Sequence, residues 1–426
     1  MQAYLTASYQ ADFLGSAVAA ILLISNYRLD GQQSMLRAAD LVERGLRSSG
    51  IEVLVARPEA FFALFAKRQP ALRKWLAYLD KYLLFPIRLM WMARRCLLVH
   101  IVDHSNAIYL FLLRSEKSIV TCNDLLAVRS ALGEIPEHRT GFAGKLLQKW
   151  ILAGLRRASH IACISEATRL DVLRLTGKSE GEVSRIYLGI GPRFETELER
   201  KLSEKKVREA NVDSLAAPLG PRLGRSLALP ISALPVSALP SGGPSGALPI
   251  ALDRLVPYLL HVGGDTWYKN RPGVLEIYVE VRARLGSRAP NLIMVGPPLK
   301  PETHGVYFLQ NITDDLLVEL YRNAALLLFP SFYEGFGWPV IEANACGCPV
   351  VASRIAPLVE AGGSAAAWIE DPREIDEAAD RVIEVLDDDF VERQSLQDAG
   401  FENAGRFSRW EMIAKYLNLY ASMLRK

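Results

Sequence analysis

Short, mainly apolar runs separated by helix-length stretches constrain this chain more than any other feature. In the first half they fall at 20–25, 52–56, 97–102, 118–122, 160–165 and 184–188. A run without polar alternation is buried on both faces, and such runs set between helical stretches specify a parallel sheet covered by helices. The second half repeats the plan at 259–262, 292–295, 306–309, 326–329, 350–352 and 367–369. The expected class is therefore α/β, with two doubly wound domains in tandem. At 426 residues and 50% apolar, the chain can bury two cores and is too apolar to be wholly disordered.

Composition changes between the halves. Residues 202–252 begin charged and become rich in Ala, Leu, Pro, Ser and Gly, with Ala-Leu-Pro at 228–230, 233–235, 238–240 and 247–249. Proline at that density forbids a helix and removes sheet donors, so extended chain is expected. The division is then 1–200, a linker or insertion over 201–252, a second domain over 253–408, and a C-terminal helix over 409–426 that could pack back on the first domain.

The most informative stretch runs Ser331-Phe332-Tyr333-Glu334-Gly335-Phe336-Gly337-Trp338-Pro339-Val340-Ile341-Glu342. A buried strand ends at Pro330, a glycine-bearing loop follows, and Pro339 suits the first turn of a helix that Gly347 closes. Gly335 and Gly337 let the backbone approach a ligand, and the N–H groups of the helix start favour a phosphate. Two carboxylates, Glu334 and Glu342, flank that point and suit sugar hydroxyls, so a diphosphate with a sugar at each end fits the arrangement.

This stretch resembles the Glu-x7-Glu signature of retaining glycosyltransferases of family 4, mannosyltransferase-like group 1 enzymes with the GT-B fold of two Rossmann-like domains facing across a cleft. The resemblance extends to His261-Val262-Gly263-Gly264 with Trp267-Tyr268-Lys269-Asn270-Arg271, similar to the family's strand and basic loop under the donor diphosphate. Residues 158–166 resemble a late N-domain strand and serine, and Phe407-Ser408-Arg409-Trp410 the start of the last helix. It implies that the first domain serves the acceptor and the second the nucleotide sugar.

By the same resemblance Glu342 would bind ribose hydroxyls and Glu334 the donor-sugar hydroxyls. Gly335, Phe336 and Gly337 would offer amides to sugar and phosphate. Lys269 would neutralise the departing diphosphate, with Gly263, Gly264, Asn270 and Arg271 around it. His104 would face the sugar from the N-domain, and Gly31 the phosphates. His104, Lys269 and Glu334 are thus the implied catalytic residues. Two positions depart from the family: Gly264 stands where an Arg is common, with Arg271 its candidate substitute, and Asn123 stands where many relatives have His. An amide shuttles no proton at neutral pH, so Asn123 has no acid–base role. The expected function is transfer of a hexose from GDP-mannose or a UDP-hexose, with retention, to a glycan or lipid-linked acceptor in surface polysaccharide synthesis. A non-catalytic nucleotide-sugar-binding scaffold and a GT-B epimerase are the competing readings. A dinucleotide oxidoreductase is disfavoured, because Gly189-Ile190-Gly191-Pro192 does not continue as G-x-G-x-x-G.

The remaining features bound partners and compartment. The net charge of +3 does not mark a nucleic-acid binder. It hides an asymmetry: residues 1–200 carry 27 Lys and Arg against 19 Asp and Glu, and residues 201–426 carry 23 against 28. An anionic surface or substrate near the first half follows. Residues 67–95 interleave Lys and Arg with Trp75, Tyr78, Tyr82, Phe85 and Trp91, and 145–157 add a basic amphipathic stretch around Trp150. Such segments suit the interface of an anionic membrane, or else two helices packed on a sheet. Five cysteines without a C-x-x-C pair suggest a reducing, cytoplasmic compartment. The apolar stretch 13–24 is too short to span a bilayer, and no Lys or Arg precedes Arg28 to form the basic end of a secretory leader. No metal and no cofactor are expected: Asp387-Asp388-Asp389 lies far from the loop, and lysine and helix dipole can replace a divalent ion. His100 and His160 read as strand residues, and His138 and His304 have no paired ligand.

Overall fold

The computed structural model describes residues 19–66, 69–113, 117–215, 255–300, 302–387 and 390–425. The Ala-Leu-Pro repeats, Lys67, Arg68, Asp388 and Asp389 lie outside the described residues. The first sheet comprises β1 (Ala19–Ile24), β2 (Val53–Ala56), β3 (Cys96–Ile101), β4 (Ser118–Cys122), β5 (His160–Cys163) and β6 (Val183–Arg185), in the order β2-β1-β3-β4-β5-β6. The second comprises β7 (Tyr258–Val262), β8 (Asn291–Val295), β9 (Val306–Leu309), β10 (Leu326–Phe329), β11 (Val350–Ser353) and β12 (Ala367–Ile369), in the order β12-β11-β10-β7-β8-β9. All neighbouring pairs are parallel. The chain thus builds two doubly wound sheets, each near one of the expected sets of apolar runs.

Each sheet carries an apolar layer of its own. In the first, Leu22, Val99, Val120 and Ile161 pack under Phe85, Leu152 and Leu155; in the second, Leu259, Leu292 and Leu328 pack under Ile277, Val281 and Val382. The other faces share one continuous cluster that includes Ile21, Leu98, Phe194, Leu260, Phe329, Trp338 and Tyr416. The two sheets are therefore joined by a common core.

Among the described residues, one expected stretch takes a different form. The helix Pro192–Leu215 carries the chain well past 201, so the charged first part of the expected extended linker is helical. Residues 201–215 contain no proline, and pairs such as Arg200–Glu204 and Lys201–Glu204 support the helix.

The last helix, Arg409–Leu424, lies against the first domain and is tied there by a buried polar chain. The Tyr420 hydroxyl sits 2.7 Å from His100 Nδ1, whose Nε2 lies 2.8 Å from Thr121 Oγ1. Thr121 in turn meets the Tyr416 hydroxyl at 2.8 Å. Burial holds the His100 pKa down at about 3, so the ring is neutral, with one nitrogen donating and one accepting.

Candidate active site

In open α/β sheets ligands bind beyond the strand C-termini where the strand order reverses. In the second sheet that point is the β7/β10 boundary, and both signature loops start there. After β7 come Gly263 and Gly264, a tight turn at Trp267–Lys269, and Asn270 in the left-handed region at φ 49°. The helix Arg271–Leu285 follows. After β10 the loop runs to Gly337, at φ 117°, and the helix Trp338–Cys346 begins with Pro339 in its first turn. A backbone bond from Phe332 N to Tyr268 O (2.8 Å) joins the two loops, and the Asn270 amide donates to the Pro330 carbonyl at 3.0 Å. Asn270 therefore braces the loops with its side chain.

Lys269 and Glu334, which the sequence places far apart, form an ion pair here. Nζ lies 2.7 and 2.8 Å from the two carboxylate oxygens. Gly263 stands beside them, since a Cβ there would lie 3.6 Å from Lys269 Cβ, whereas one at Gly264 would meet nothing within 4 Å. Arg271 is 2% exposed. Its Nη2 donates to the Pro297 carbonyl, while Nε and Nη1 have no partner among the described residues. Burial lowers its pKa, opposed by Asp265. The guanidinium packs under Gly296, next to the Gly263 carbonyl.

The first domain brings its own switch point, β1/β3, to the same cleft. Asn26 after β1 donates to Asp103 after β3, and Asn106 donates to Asn26 at 2.9 Å. His104 Nδ1 is 3.2 Å from Asp103 Oδ1. Burial opposes charge on this imidazole, but the Asp103 carboxylate beside Nδ1, with Asp124, holds its pKa above the usual value. Asp103 titrates well below the ordinary range: burial opposes this, and His104, Asn26 and Ser105 outweigh it. Gly31 follows the first loop at φ 69°, with open space where a Cβ would be.

The domains meet at Gly335, where a Cβ would collide with the Asn123 carbonyl. Thr168 bridges the Asn123 and Gly335 carbonyls at 3.4 and 3.5 Å. The Asn123 side chain is buried with neither amide atom partnered among the described residues. Asp124 also acts on Tyr268, whose pKa is pushed up to about 12 by burial, with Asp124 and Glu334 adding to it. Phe336 stacks between domains, 5.8 Å from Tyr187 and 5.4 Å from Phe407.

Glu342 lies one helical turn inside the helix and is 2% exposed. Its Oε1 is 2.6 Å from Arg37 of the first domain, and its Oε2 accepts from Tyr321 at 3.3 Å. Burial raises its pKa, with Arg37 acting against this. Sequence reasoning missed Arg37, and no local signal marks one arginine of a surface helix as a partner for a distant carboxylate. A cavity of about 800 Å³ lined by Arg200, Lys201, Glu204 and Phe401 lies outside this group and lacks its paired charges at strand ends. Among the described residues no group of three or more His, Cys, Asp or Glu could hold a metal ion.

Two Rossmann-like domains with their switch points turned on one cleft define the GT-B class. Residues 37–194 match the model of Glycosyltransferase Family 4, and residues 256–403 that of Glycosyl transferases group 1. The chain belongs to this family of glycosyltransferases. It is 31% identical over 174 residues to the Escherichia coli O-antigen chain mannosyltransferase B, covering 38% of this chain and 45% of that protein. To the D-inositol 3-phosphate glycosyltransferase of Mycolicibacterium smegmatis it is 40% identical over 118 residues, covering 27% and 26%. The matched part spans less than half of these curated relatives. Among solved structures, Anabaena HepE in complex with UDP and glucose superposes with TM-score 0.61 at 14% identity, covering 95% of this chain and 100% of that one. A trehalose-phosphate synthase of Burkholderia vietnamiensis gives 0.58 at 10%, covering 95% and 99%. These likenesses concern the fold.

Proposed function

We propose that this chain is a retaining glycosyltransferase that moves a hexose from GDP-mannose or a UDP-hexose to a hydroxyl of a glycan or glycolipid in surface polysaccharide synthesis. The observation that carries the reading is the Lys269–Glu334 pair, 2.7 Å apart, at the switch point of the second sheet. Similarity to the Escherichia coli O-antigen chain mannosyltransferase B, and at 27% identity over 255 residues to the serotype-specific mannosyltransferase WbdA of the same organism, favours a mannosyl donor and a surface polymer.

In the reaction the bond between sugar C1 and a diphosphate oxygen breaks. The acceptor oxygen bonds to C1 on the same face, and its proton ends on the departing phosphate. Negative charge grows on the leaving diphosphate, where Lys269 and the N–H groups at the Gly337–Trp338 helix start would oppose it most strongly. Donor entry would draw Lys269 toward phosphate and free Glu334 to accept from sugar hydroxyls. Arg271 would supply the diphosphate with its unpartnered N–H groups. His104, held by Asp103, would donate to the sugar from the opposite wall, and Glu342 would accept from the ribose. None of these steps calls on a metal, so turnover is expected to survive a chelator.

The test is incubation of the full chain with GDP-mannose, UDP-glucose and UDP-galactose, with nucleotide release and transfer measured. One donor should turn over in the wild type, and Glu334→Gln should bind its nucleotide nearly normally while turning over far more slowly. If a nucleotide binds but no donor turns over, the catalytic reading fails and the scaffold reading takes its place; if no nucleotide binds, both fail.

A membrane contact of the first domain belongs to the same proposal. Phe65, Trp75, Ile87, Trp91, Phe142 and Trp150 are exposed on its helices and on the turn before them, interleaved with Arg88, Arg95 and Lys145. No described helix is long and apolar enough to cross a membrane. Rings at the boundary with cations on headgroups fit a peripheral, interfacial mode, on the inner face of the cytoplasmic membrane. Co-sedimentation with vesicles containing anionic lipid should fall on Trp75→Ser/Trp91→Ser; binding unchanged by both substitutions would refute it.

A further inference from the structure

We propose that Arg37 is a positioning residue for the donor nucleotide: from the first domain it holds the Glu342 carboxylate in register for the ribose hydroxyls, so that nucleotide affinity depends on the two domains being docked. The inference rests on the reading of Glu342 as the ribose acceptor, and goes beyond it by assigning a second residue, on the other domain, to the same subsite.

The geometry is that of a fixed support. Arg37 Nη1 stands 2.6 Å from Glu342 Oε1, and Nε stands 3.7 Å from Asp314. The guanidinium lies over the Trp338 ring, 4.8 Å from its centroid, and 5.2 Å from that of Phe194. Two aromatic faces and two carboxylates leave such a group little rotational freedom, and a lysine ammonium cannot reproduce both the stacking and the forked contact. Gly191, left over from the failed dinucleotide motif, is accounted for here: a Cβ at that position would sit 3.1 Å from Arg37 Nη2.

The carboxylate keeps capacity for a ligand. An ionised carboxylate has about four lone-pair sites. Arg37 Nη1 stands at Oε1 as an ion pair without hydrogen-bond geometry, so Oε1 has no hydrogen-bond partner among the described residues, and the Tyr321 hydroxyl takes one site of Oε2 at a long 3.3 Å. The remainder suit the two neighbouring hydroxyls of a ribose. That holds only while Glu342 is charged, and its surroundings do little else to keep it so. Among the described residues, the groups acting on it are Asp314 and Tyr321 on the preceding helix, the Cys346 thiol on its own helix, and the cation Arg37. Burial and Asp314 raise its pKa, and Arg37 with the Tyr321 hydrogen bond opposes them.

A support that acts only in docking would stabilise the closed chain without reading ribose, and the test separates these roles. Binding of UDP, GDP and ADP is measured by calorimetry on the full chain, and the best of them is compared with its 2′-deoxy counterpart. The wild type should prefer the ribonucleotide by about tenfold or more, the size of one charge-assisted hydrogen bond. Arg37→Gln should weaken ribonucleotide binding by a similar factor, leave the deoxy form nearly unchanged, and so collapse the preference. Its residual affinity should fall further as the pH is lowered, and more steeply than that of the wild type, because the cation that opposes the burial of the Glu342 charge is gone. Arg37→Lys, which keeps the charge but not the fork, should lose part of the preference without gaining the pH dependence, and it carries the test if Arg37→Gln does not fold. If Arg37→Gln and Arg37→Lys keep the full preference while Glu342→Ala abolishes it, Arg37 serves docking alone and the proposal is overturned. If Glu342→Ala also keeps the preference, the ribose reading of Glu342 itself has failed.

Discussion

Removing the cation of the Lys269–Glu334 pair without removing its partner tests the physical core of the site before any substrate is known. The two side chains are 17% and 7% exposed. At 2.7 Å and an effective dielectric of about 20, the Coulomb term is about 6 kcal/mol, most of it offset by desolvation of both ions. Lys269→Met leaves Glu334 nearly buried without its cation, a change that costs about 3–5 kcal/mol in a fully dry site. The partial exposure of Lys269 lets water reach the carboxylate, so about 2–3 kcal/mol is expected. Glu334→Gln added to Lys269→Met removes the orphaned charge and should recover all but about 1 kcal/mol. Equilibrium urea unfolding of the two single variants and the double variant measures the coupling. A loss below about 0.5 kcal/mol in Lys269→Met, or strictly additive losses, would refute the reasoning. The same Lys269→Met protein should bind nucleoside diphosphates more weakly, with nucleosides little affected.

Three further outcomes follow from named contacts. Tyr420→Phe leaves the buried His100 Nδ1 without its partner and should destabilise the docking of the last helix by about 1–3 kcal/mol, read as faster proteolysis within 409–424. His100 and His261 are both held at about 3 by burial, while in the unfolded chain they take up protons near pH 6.5. Because the unfolded state binds more protons, stability is full above about pH 6.5 and is lost as pH falls toward about 3, at roughly 1.4 kcal/mol per pH unit for each ring. Imidazole proton resonances of these two residues that titrate between pH 5 and 7 in the folded chain would contradict this. Gly335→Ala pushes a methyl group into the Asn123 carbonyl and should open the cleft, lowering turnover by more than tenfold while the isolated folds persist; an active Gly335→Ala enzyme would mean that this contact is not part of the working state.

The elements were largely legible because they express local physics. Continuous apolar runs such as Ser118–Cys122, Val306–Leu309, Leu326–Phe329 and Ala367–Ile369 are strands with those bounds. Elsewhere the ends move by a few residues, as at β6, which stops at Arg185. The loops bearing Glu334 and Lys269 were legible as well, since glycine and proline positions dictate the turns that carry them.

The sequence by itself determined the strand set, the two-domain plan and the family signature. Tertiary structure alone decided what each charged or polar side chain faces. His100 read as an ordinary strand residue, and its partner Tyr420 lies 320 positions away. Arg37 carries no local signal in the sequence, yet its guanidinium meets Glu342 at 2.6 Å. Asn270 lay in the basic loop with an implied place near the diphosphate, and its amide braces the Pro330 carbonyl. Periodicity reports which face of an element is buried, a property of neighbours a few residues apart. Which groups meet across a cleft depends on strand order and on how two sheets share a core, and those follow from the whole chain's packing.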